Sequence, residues 1–474
     1  ANATVARPST DRAPAAVILA AGEGTRMKSR RAKVLHEVAG RPLVEHVVRA
    51  ALAAGADPIV VVVGVQADEV ERALRARMPE LGARLVFARQ PERRGTADAV
   101  AKARPALEGF DGEALILCGD VPALPAEALA RLLAARREAG AALAVLSAVV
   151  PDPTGYGRMV RGAAGELLAI VEHKDASEDQ RRLREVNTGT YAVDWRALDG
   201  ALDRIAPNNA QKEYYLTDAV RLLLADGRGA VGVVHPRFEE TQGVNSRRQL
   251  AAVGRALNAA LLDRLMDGGA TILDPETTWV EADVAVGPDT VVHPGVRLEG
   301  RTAIGEGCVV RSGARLTDVV VGDGAEILDY TIAEGAEIGP GCHVGPFARL
   351  RPGTVLAPRC KVGNFVETKK TSLGEGSKAS HLSYLGDATI GAGVNIGAGT
   401  ITCNYDGEHK HPTVLEDGVF IGSDTQLVAP VSVGRGAYVG AGSTITHDVP
   451  PGALAISRGR QRNIEGWVER RGKK

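Results

Sequence analysis

The sequence predicts an α/β chain with two large domains, an N-terminal layered domain around a mostly parallel sheet and a C-terminal parallel β-helix. Three observations predict this fold. β-branched runs alternate with helical stretches, an amphipathic stretch follows, and an aliphatic residue then recurs every six positions. The predicted boundaries are a disordered tail at 1–14, the layered domain at 15–246, a linker helix at 247–269, the β-helix at 270–456 and a second tail at 457–474.

The layered domain is predicted from short apolar runs that suit buried strands. Residues 17–20, 59–63 and 114–118 are such runs, and a helix is predicted over 43–54. Runs that are apolar along their whole length indicate strands covered on both faces, as in a parallel sheet between helices.

The linker is predicted to be helical because its apolar residues recur every three or four positions. They are Leu250, Val253, Leu257, Leu261 and Leu265. The pair Gly268-Gly269 predicts where this helix ends.

The β-helix is predicted from a six-residue period that neither a helix nor an alternating strand would generate. The aliphatic positions are Val280, Val286, Val292, Leu298, Ile304, Val310 and Leu316, then Ile332, Ile338, Val344, Leu350, Leu356 and Val362, then Ile421, Leu427, Val433, Val439 and Ile445. In such repeats each short strand buries one aliphatic side chain and turns a corner. One segment, 402–413, breaks the period and is expected to form a loop.

Composition excludes several classes of protein. The net charge of −1 gives no electrostatic case for nucleic-acid binding. Five cysteines without a CxxC pair argue against a disulfide scaffold or zinc cluster and favour a reducing cytoplasm. The apolar stretch 15–21 is too short for a membrane span, so we expect a soluble cytoplasmic protein.

A glycine loop follows the first predicted strand, and its sequence is Leu19-Ala20-Ala21-Gly22-Glu23-Gly24-Thr25-Arg26-Met27. Glycine lets backbone N–H groups approach a phosphate, although a tight turn between strand and helix explains two glycines equally well. A dinucleotide-binding loop would need a third glycine where Met27 stands, and a P-loop would need Gly-Lys-Ser/Thr.

The whole string, followed by Lys33, resembles the signature of sugar-nucleotide pyrophosphorylases. Further motifs occur in that family's order: Gly95-Thr96, Cys118-Gly119-Asp120, Gly155-Tyr156-Gly157-Arg158, Glu172-His173-Lys174 and Asn187-Thr188-Gly189. Nucleotidyl transfer needs negative charge neutralised by Mg²⁺ and cations. Asp120 is a candidate Mg²⁺ ligand, with a helix N-cap as its alternative role. Arg26 and Lys33 are candidate phosphate contacts, with plain surface cations as the alternative.

In the β-helix, His381 is the polar residue that most invites a chemical role. A histidine can act as a base near neutral pH, although a single histidine is more often structural. Tyr384 follows it, Lys369-Lys370 precedes it, and the irregular loop around Asn404-Tyr405 comes next.

These residues extend the resemblance over nearly the whole chain, to the bacterial bifunctional N-acetylglucosamine-1-phosphate uridyltransferase/glucosamine-1-phosphate N-acetyltransferase family. The matching segments are 345–353, 362–367, 381–387, 395–407 and 422–426. The resemblance implies a Rossmann-like nucleotidyltransferase domain, a left-handed β-helix and synthesis of UDP-N-acetylglucosamine for the cell wall. It implies Mg²⁺, UTP, acetyl-CoA, glucosamine 1-phosphate and N-acetylglucosamine 1-phosphate as ligands. It also implies a homotrimer with acetyltransferase sites between subunits.

The resemblance further implies a role for each matching residue. Uridine and phosphates would be bound by Ala20, Ala21, Gly22, Arg26, Lys33, Gln90, Gly95, Thr96, Gly119 and Asp120. The amino sugar would be bound by Gly157, Glu172 and Asn187, and Mg²⁺ by Asp120 and Asn245. In the β-helix His381 would be the general base, and the other substrate contacts would be Arg351, Lys369, Tyr384, Asn395, Asn404 and Tyr405. Acetyl-CoA would be bound by Ala398, Ser423, Ala441 and Arg458.

Two other functions fit part of the sequence. A pyrophosphorylase with the β-helix as an oligomerisation scaffold is disfavoured by His381 and the Asn404-Tyr405 loop. A regulatory subunit, similar to the pyrophosphorylase-related components of translation-factor exchange complexes, could lose Arg26, Lys33 or Asp120, and all three are present. The chain departs from the family pattern at Cys118 and at Arg31-Ala32, where Leu-Pro is common.

Overall fold

The computed structural model describes residues 12–472, which form two compact units divided between Leu257 and Asn258. The predicted disordered segment at 1–14 therefore lies largely outside the described residues. The two units are described separately below.

The N-terminal unit is a sheet with helices on both faces. Its strands are β1 Ala15–Ala20, β2 Glu37–Val38, β3 Arg41–Pro42, β4 Ile59–Val63, β5 Leu85–Arg89, β6 Glu113–Cys118, β7 Leu143–Val149, β8 Arg158–Arg161, β9 Leu167–Val171, β10 Glu185–Asp194 and β11 Ala230–His235. Its helices are α1 Leu43–Ala53, α2 Ala67–Arg77, α3 Thr96–Ala101, α4 Ala126–Glu138, α5 Glu178–Arg181, α6 Trp195–Leu202 and α7 Asp218–Ala225. Short 3₁₀ turns occur at Thr25–Met27, Lys33–Leu35, Pro79–Arg84, Arg104–Leu107 and Phe238–Thr241.

The main sheet confirms the prediction of mostly parallel strands. Its order is β11-β7-β10-β6-β1-β4-β5, in which β10 alone runs antiparallel to its neighbours, β6 and β7. The sheet separates two hydrophobic cores, one on each face. Alternate residues of β1 point to opposite faces, so Ala16 and Ile18 pack into one core and Val17 into the other. Since β1 and β6 are parallel neighbours, the loops that follow them meet at one edge of the sheet.

The linker is a helix, α8, at Arg247–Asp267. Val253 packs with Met27 and Leu43 in the N-terminal unit, while Leu262 belongs to the core of the C-terminal unit. The helix ends at Asp267, and Gly269, two residues later, has a φ of +96° in the left-handed region that glycine adopts without strain.

The C-terminal unit is a left-handed parallel β-helix with three faces, here called A, B and C. Face A contains Thr271–Ile272, Val291–Val292, Val309–Val310, Glu326–Ile327, His343–Val344, Lys361–Asn364, Lys378–His381, Asn395–Ile396, Phe420–Ile421, Tyr438–Val439 and Leu454–Ala455. Face B contains Trp279–Val280, Arg297–Glu299, Arg315–Thr317, Ile332–Glu334, Arg349–Leu350, Glu367–Lys369, Tyr384–Gly386, Ile401–Cys403, Gln426–Val428 and Thr444–Ile445. Face C contains Ala285–Val286, Ala303–Ile304, Val320–Val321, Ala336–Ile338, Thr354–Leu356, Ser372–Leu373, Ala388–Ile390, Thr413–Leu415 and Val431–Val433. A last short helix, α9, lies at Trp467–Arg470.

The aliphatic side chains at the six-residue positions point into the β-helix, with one exception. Val292, Val310 and their equivalents stack in parallel register in one continuous core. Ile332 was predicted to be buried, but it is 48% exposed and Ala333 takes the inward position. The buried positions here are Leu316, Val321, Ile327, Ala333 and Ile338, so the spacing shortens to five residues twice, once before Val321 and once after Ala333. The sequence analysis placed the second shortening before Ile332, which is one step too early.

Candidate active sites

The glycine loop after β1 wraps around Lys33. Gly24 has a φ of +63°, and a Cβ there would lie 2.5 Å from Lys33 Cβ. A Cβ at Gly22 would lie 3.7 Å from Lys33 Nζ. Glycine is therefore needed at position 24 so that the backbone can pass this close to the lysine.

Lys33 joins two loops that are distant in sequence. Its ammonium is buried, forms an ion pair with Asp120 Oδ2 and donates to Asn245 Oδ1 at 3.0 Å. Val244 N–H donates to Asp120 O at 2.9 Å, which fixes the second loop on the first. Asp120 is not a helix N-cap, since Pro125 precedes α4. Two oxygens thus converge on one cation, and a carboxylate with an amide oxygen is a donor set that suits Mg²⁺.

A cleft of about 220 Å³ opens beside this group. Its lining includes seven residues predicted from the sequence: Ala21, Gly22, Lys33, Gln90, Gly95, Thr96 and Asp120. In the described part of the chain this lining does not include Ala20, Arg26 or Gly119. It does include Arg93 and Glu213, which the sequence analysis missed because no motif singles them out.

Two lining residues shape the cleft. Gln90 is buried and donates to Asp98 Oδ2 at 2.8 Å and to Gly95 O at 3.2 Å, so it braces the turn that begins α3. Burial raises the pKa of Cys118 to about 12. Its thiol therefore stays protonated and is no candidate nucleophile.

The three residues predicted to bind the amino sugar lie together. Asn187 N–H donates to Gly157 O at 2.9 Å, and a Cβ at Gly157 would lie 3.4 Å from Glu172 Oε1. Burial raises the pKa of Glu172, although a hydrogen bond from Thr217 Oγ1 at 3.3 Å opposes the shift. Glu172 and Thr217 also line a second cavity of about 460 Å³ with Tyr215, and the sequence analysis missed both of these partners.

In the β-helix, His381 lies at the end of a face A strand and is exposed. Its Nδ1 is 2.8 Å from Asn364 Oδ1, one coil earlier, and the two residues pair in the sheet register. An amide oxygen only accepts hydrogen bonds, so this contact favours the neutral tautomer that has its proton on Nδ1 and its lone pair on Nε2. Asn364 was missed, although its place 17 positions before His381 in a coil of that length is a signal that could have found it.

Three cationic side chains lie at the edge of face B that is farther from His381: Arg351, Lys369 and Lys410. The ammonium of Lys410 lowers the pKa of Lys369, and the charge of Arg351 adds to the effect. Arg351 Nη1 donates to Glu367 Oε1 at 2.9 Å. Lys410 was not predicted, because the loop that carries it lies outside the six-residue period. Adjacent like charges on a protein surface favour an anionic ligand.

The predicted loop extends from the same edge and is braced internally. Asn404 is buried and donates to Asp387 Oδ2 at 2.5 Å, while Tyr405 forms an antiparallel bridge with Lys410. Tyr384 lies on face B, and its hydroxyl sits above Gly386, where a Cβ would be 2.5 Å from it. Asn395 lies on face A, on the coil after the one that carries His381.

The four predicted acetyl-CoA residues follow one another along the coils. Asp424 N–H donates to Ala398 O at 2.7 Å, Gly442 N–H donates to Ser423 O at 2.8 Å, and Arg458 Nη1 donates to Ala441 O at 2.6 Å. A Cβ at Gly397 or Gly422 would lie 2.5 Å from the backbone of the next coil. The result is a smooth line of small residues that ends at an arginine.

Two searches bear on metals and membranes. Across residues 12–472, no group of three or more His, Cys, Asp or Glu side chains could hold a metal ion by itself. Within the same residues, no helix is long and apolar enough to cross a membrane.

Known families match three segments of the chain. Residues 16–187 match the MobA-like NTP transferase domain, 280–366 the GMPPB C-terminal domain, and 412–447 the bacterial transferase hexapeptide (six repeats).

Several curated proteins named Bifunctional protein GlmU are similar over almost their full length. The protein of Anaeromyxobacter sp. is 54% identical over 457 residues, which cover 96% of this chain and 93% of that protein. The protein of Trichlorobacter lovleyi is 50% identical over 453 residues, covering 96% and 97%. The protein of Geobacillus thermodenitrificans is 47% identical over 460 residues, covering 97% and 98%.

Proposed function

The chain belongs to the GlmU family of bifunctional proteins, and from this premise we propose that it makes UDP-N-acetylglucosamine in two steps, one in each domain. The β-helix acetylates glucosamine 1-phosphate with acetyl-CoA. The N-terminal domain then joins N-acetylglucosamine 1-phosphate to the uridylyl group of UTP and releases pyrophosphate.

The acetyl transfer rests on His381 and Asn364. An amine attacks a thioester only when it is unprotonated, and His381 Nε2 accepts the amine proton as the C–N bond forms and the C–S bond breaks. The proton leaves with the thiol of CoA. The 2.8 Å contact between His381 Nδ1 and Asn364 Oδ1 is the observation that carries this activity, because a mere scaffold has no use for an exposed imidazole held in one tautomer.

The remaining β-helix residues bind and orient the two substrates. Arg351, Lys369 and the newly found Lys410 hold the sugar phosphate, and Tyr384 and Asn395 contact the sugar. The carbonyl of the thioester is oriented by Asn404 and Tyr405. The line of Ala398, Ser423, Ala441 and Arg458 suits a long, phosphorylated cofactor such as CoA, whose phosphates pair with the arginine.

In the uridylyl transfer, a phosphate oxygen of the sugar attacks the α-phosphorus of UTP and pyrophosphate leaves. No proton needs to be removed, so the residues act by positioning and by charge. Lys33 contacts the phosphates from the cleft, where Gln90, Gly95 and Thr96 shape the uridine side. Arg26, in the glycine loop but outside the cleft lining, is assigned to the phosphates by the motif alone. Gly157, Glu172 and Asn187 bind the amino sugar. Asp120 and Asn245, whose oxygens converge on Lys33, would hold Mg²⁺, and the bound metal would supply further positive charge to the phosphates.

The proposal includes a homotrimer in which neighbouring subunits complete the acetyltransferase sites. Along the turn between faces A and B, four apolar side chains stand outward on successive coils: Tyr330, Phe347, Phe365 and Leu382, here called the apolar ladder. They are 48–62% exposed, and their φ values lie between +48° and +56°. The rings stack with centroids 5.2 and 5.5 Å apart.

The apolar ladder supports self-association on energetic grounds. A bulky residue in the left-handed region costs on the order of 1–3 kcal/mol, and exposed contiguous apolar surface marks an interaction site. Leu382 directly follows His381, whereas Lys369 and Asn404 lie at the other edge of face B. Within one chain the proposed acetyltransferase residues therefore lie at two different edges of face B. In an oligomer, one edge of each copy can face the other edge of its neighbour and complete a site.

We also place the protein in the cytoplasm. All five cysteines are free thiols, and three of them are fully buried in the β-helix core. A reducing compartment suits this pattern.

One coupled assay tests the two-step function. Glucosamine 1-phosphate, acetyl-CoA, UTP and Mg²⁺ are supplied, and free CoA thiol and pyrophosphate are measured separately. We expect both products, with pyrophosphate dependent on acetyl-CoA. If pyrophosphate formed only from ready-made N-acetylglucosamine 1-phosphate, the β-helix would be a scaffold and the acetyltransferase assignment would be wrong.

The oligomer is tested by analytical ultracentrifugation of Phe347→Asp. We expect the trimer to dissociate and acetyl transfer to fall, with uridylyl transfer intact. Exposed Val355, which lies away from the ladder on face C, provides the control Val355→Asp. A trimer that survives Phe347→Asp unchanged would rule the ladder out as the interface.

A further inference from the structure

Arg158 is a fully buried arginine, 1% exposed, at the start of β8. Across residues 12–472 no carboxylate lies within ion-pair distance of it. The other buried arginine, Arg136, pairs with Glu113. A buried charge without an ion-pair partner is costly, although the charges of Asp152 and Glu172 favour the charged guanidinium from a greater distance. The contacts that the guanidinium makes should therefore explain why it is buried.

The guanidinium holds three segments together by neutral acceptors. Nη1 donates to Tyr156 O, Nη2 donates to His173 Nδ1 at 3.2 Å, and Nε and Nη2 both donate to Arg181 O at 3.4 Å. An arginine has no acceptor, so His173 must accept through Nδ1 and carry its proton on Nε2. Burial, followed by the charge of Arg181, lowers the pKa of Arg158.

Two of these segments carry proposed amino-sugar ligands. Gly157 lies between Tyr156 and Arg158 in sequence, and Glu172 directly precedes His173. Gly157 O also accepts from Asn187 N–H at 2.9 Å, so the third ligand rests on the same strand. Whatever fixes Tyr156 against His173 also fixes the spacing of these three ligands.

We propose that Arg158 is a positioning residue that sets the amino-sugar side of the uridyltransferase site without touching the substrate. This inference rests on the proposed function of that site. The planar fork of arginine reaches three acceptors at once, whereas a lysine ammonium offers a single point of attachment. Loss of the fork therefore loosens the sugar side of the site, while the loop around Lys33, on other elements, keeps its geometry.

The test separates the two substrates of the uridylyl reaction. In Arg158→Lys, we expect the KM for N-acetylglucosamine 1-phosphate to rise about 10-fold or more, in line with the cost of a misplaced contact. The KM for UTP, the calorimetric affinity for UTP and acetyl transfer in the β-helix should stay within about twofold of the wild type, the usual scatter of distant sites.

Arg161→Met provides the matched control, because Arg161 lies on the same strand and pairs with Glu185 instead. It should lower the thermal midpoint without changing the KM for the sugar phosphate. Should Arg158→Lys fail to fold, His173→Leu removes one acceptor, leaves Arg158 in place and should raise the same KM by a smaller factor.

Two outcomes would overturn the role of Arg158. One is an equal rise in both KM values, and the other is the same sugar effect from Arg161→Met. Failure of the proposed function looks different, because the wild-type protein would then release no pyrophosphate from UTP and N-acetylglucosamine 1-phosphate.

Discussion

The two sites hold their lysines in opposite ways. In the N-terminal domain, Lys33 is buried and already paired with Asp120. In the β-helix, Lys369 stands beside Lys410 and its pKa is lowered by that neighbour. A paired lysine suits a site that admits a metal cation together with phosphates, whereas adjacent lysines suit a site that takes a phosphate directly. Two closely related sugar phosphates, glucosamine 1-phosphate and its N-acetyl derivative, would thus be bound by two unrelated arrangements of charge.

The largest expected effect comes from removing the proposed base. His381→Ala should lower acetyl transfer by about 10²–10⁴-fold, the usual contribution of a general base. Uridylyl transfer from supplied N-acetylglucosamine 1-phosphate should be unchanged, and both rates can be measured on the same preparation. Asn364→Ala should cost less, because it frees the imidazole without removing it. A folded His381→Ala protein that had lost both activities would contradict the separation of the two sites.

Removing the proposed metal ligand should give the reverse pattern. Asp120→Asn keeps the shape but removes the charge that Lys33 and Mg²⁺ share. We expect uridylyl transfer to fall more than the roughly 10–100-fold caused by losing an outer partner of a metal ligand, with acetyl transfer intact. The apparent Mg²⁺ requirement, measured by titration, should also rise. An unchanged Mg²⁺ titration in Asp120→Asn would place the metal elsewhere.

The two regions also differ in how far the sequence predicts them. In the β-helix most coils take 17 or 18 residues, so Asn364 and His381 stack at a spacing that can be counted. The coil with the inserted loop takes 25, as the pairing of Asn395 with Phe420 shows.

The period nevertheless failed at Ile332, because the step from Ala333 to the next buried position, Ile338, is five residues instead of six. It also missed Lys410, which lies in the inserted loop. Periodicity predicts stacking only where the coil length is constant.

The N-terminal site has no repeating spacing from which its residues could be predicted. Lys33, Asp120 and Asn245 are brought together from positions 33, 120 and 245 by the order of strands in the sheet. Short apolar runs predicted the strands β1, β4 and β6, but no local pattern states which strands become neighbours. The motif resemblance, not periodicity, selected these three residues. It gave no role to Arg93 or Glu213, and it included Arg158 only as a member of the motif Gly155-Tyr156-Gly157-Arg158.

Glycine substitutions should separate the two domains by their effect on activity, at a similar cost in stability. A Cβ at Gly95, where φ is +115°, would lie 2.4 Å from Tyr214 O. Gly95→Ala should therefore destabilise the N-terminal domain by about 1–3 kcal/mol and reduce uridylyl transfer alone. Gly287→Ala in the β-helix, with a Cβ 2.7 Å from the backbone of Gly305, should cost a similar amount without affecting uridylyl transfer.

Gly200 provides the control for those two variants. It lies in α6, where a Cβ would meet no atom within 4 Å. Gly200→Ala should raise the stability of the N-terminal domain by roughly 0.5–1 kcal/mol, because alanine restricts the unfolded chain and favours the helix. Differential scanning calorimetry measures all three. If Gly95→Ala proved as harmless as Gly200→Ala, the close approach to Tyr214 would be wrong.

The smallest expected effect is a shift in pH dependence that only the β-helix site should show. Lys369 binds a phosphate only while it is protonated. Since its pKa is lowered by Lys410, binding should weaken at a lower pH than for an ordinary lysine as the pH rises. The KM for glucosamine 1-phosphate should accordingly begin to rise at a lower pH than an ordinary lysine would give. In Lys410→Met the KM should be higher at every pH, because one cation is lost, but its rise should move to higher pH. The pH dependence of uridylyl transfer, which uses Lys33 instead, should be the same in Lys410→Met as in the wild type. An inflection that stays at the same pH in that variant would mean that the two lysines do not share one phosphate site.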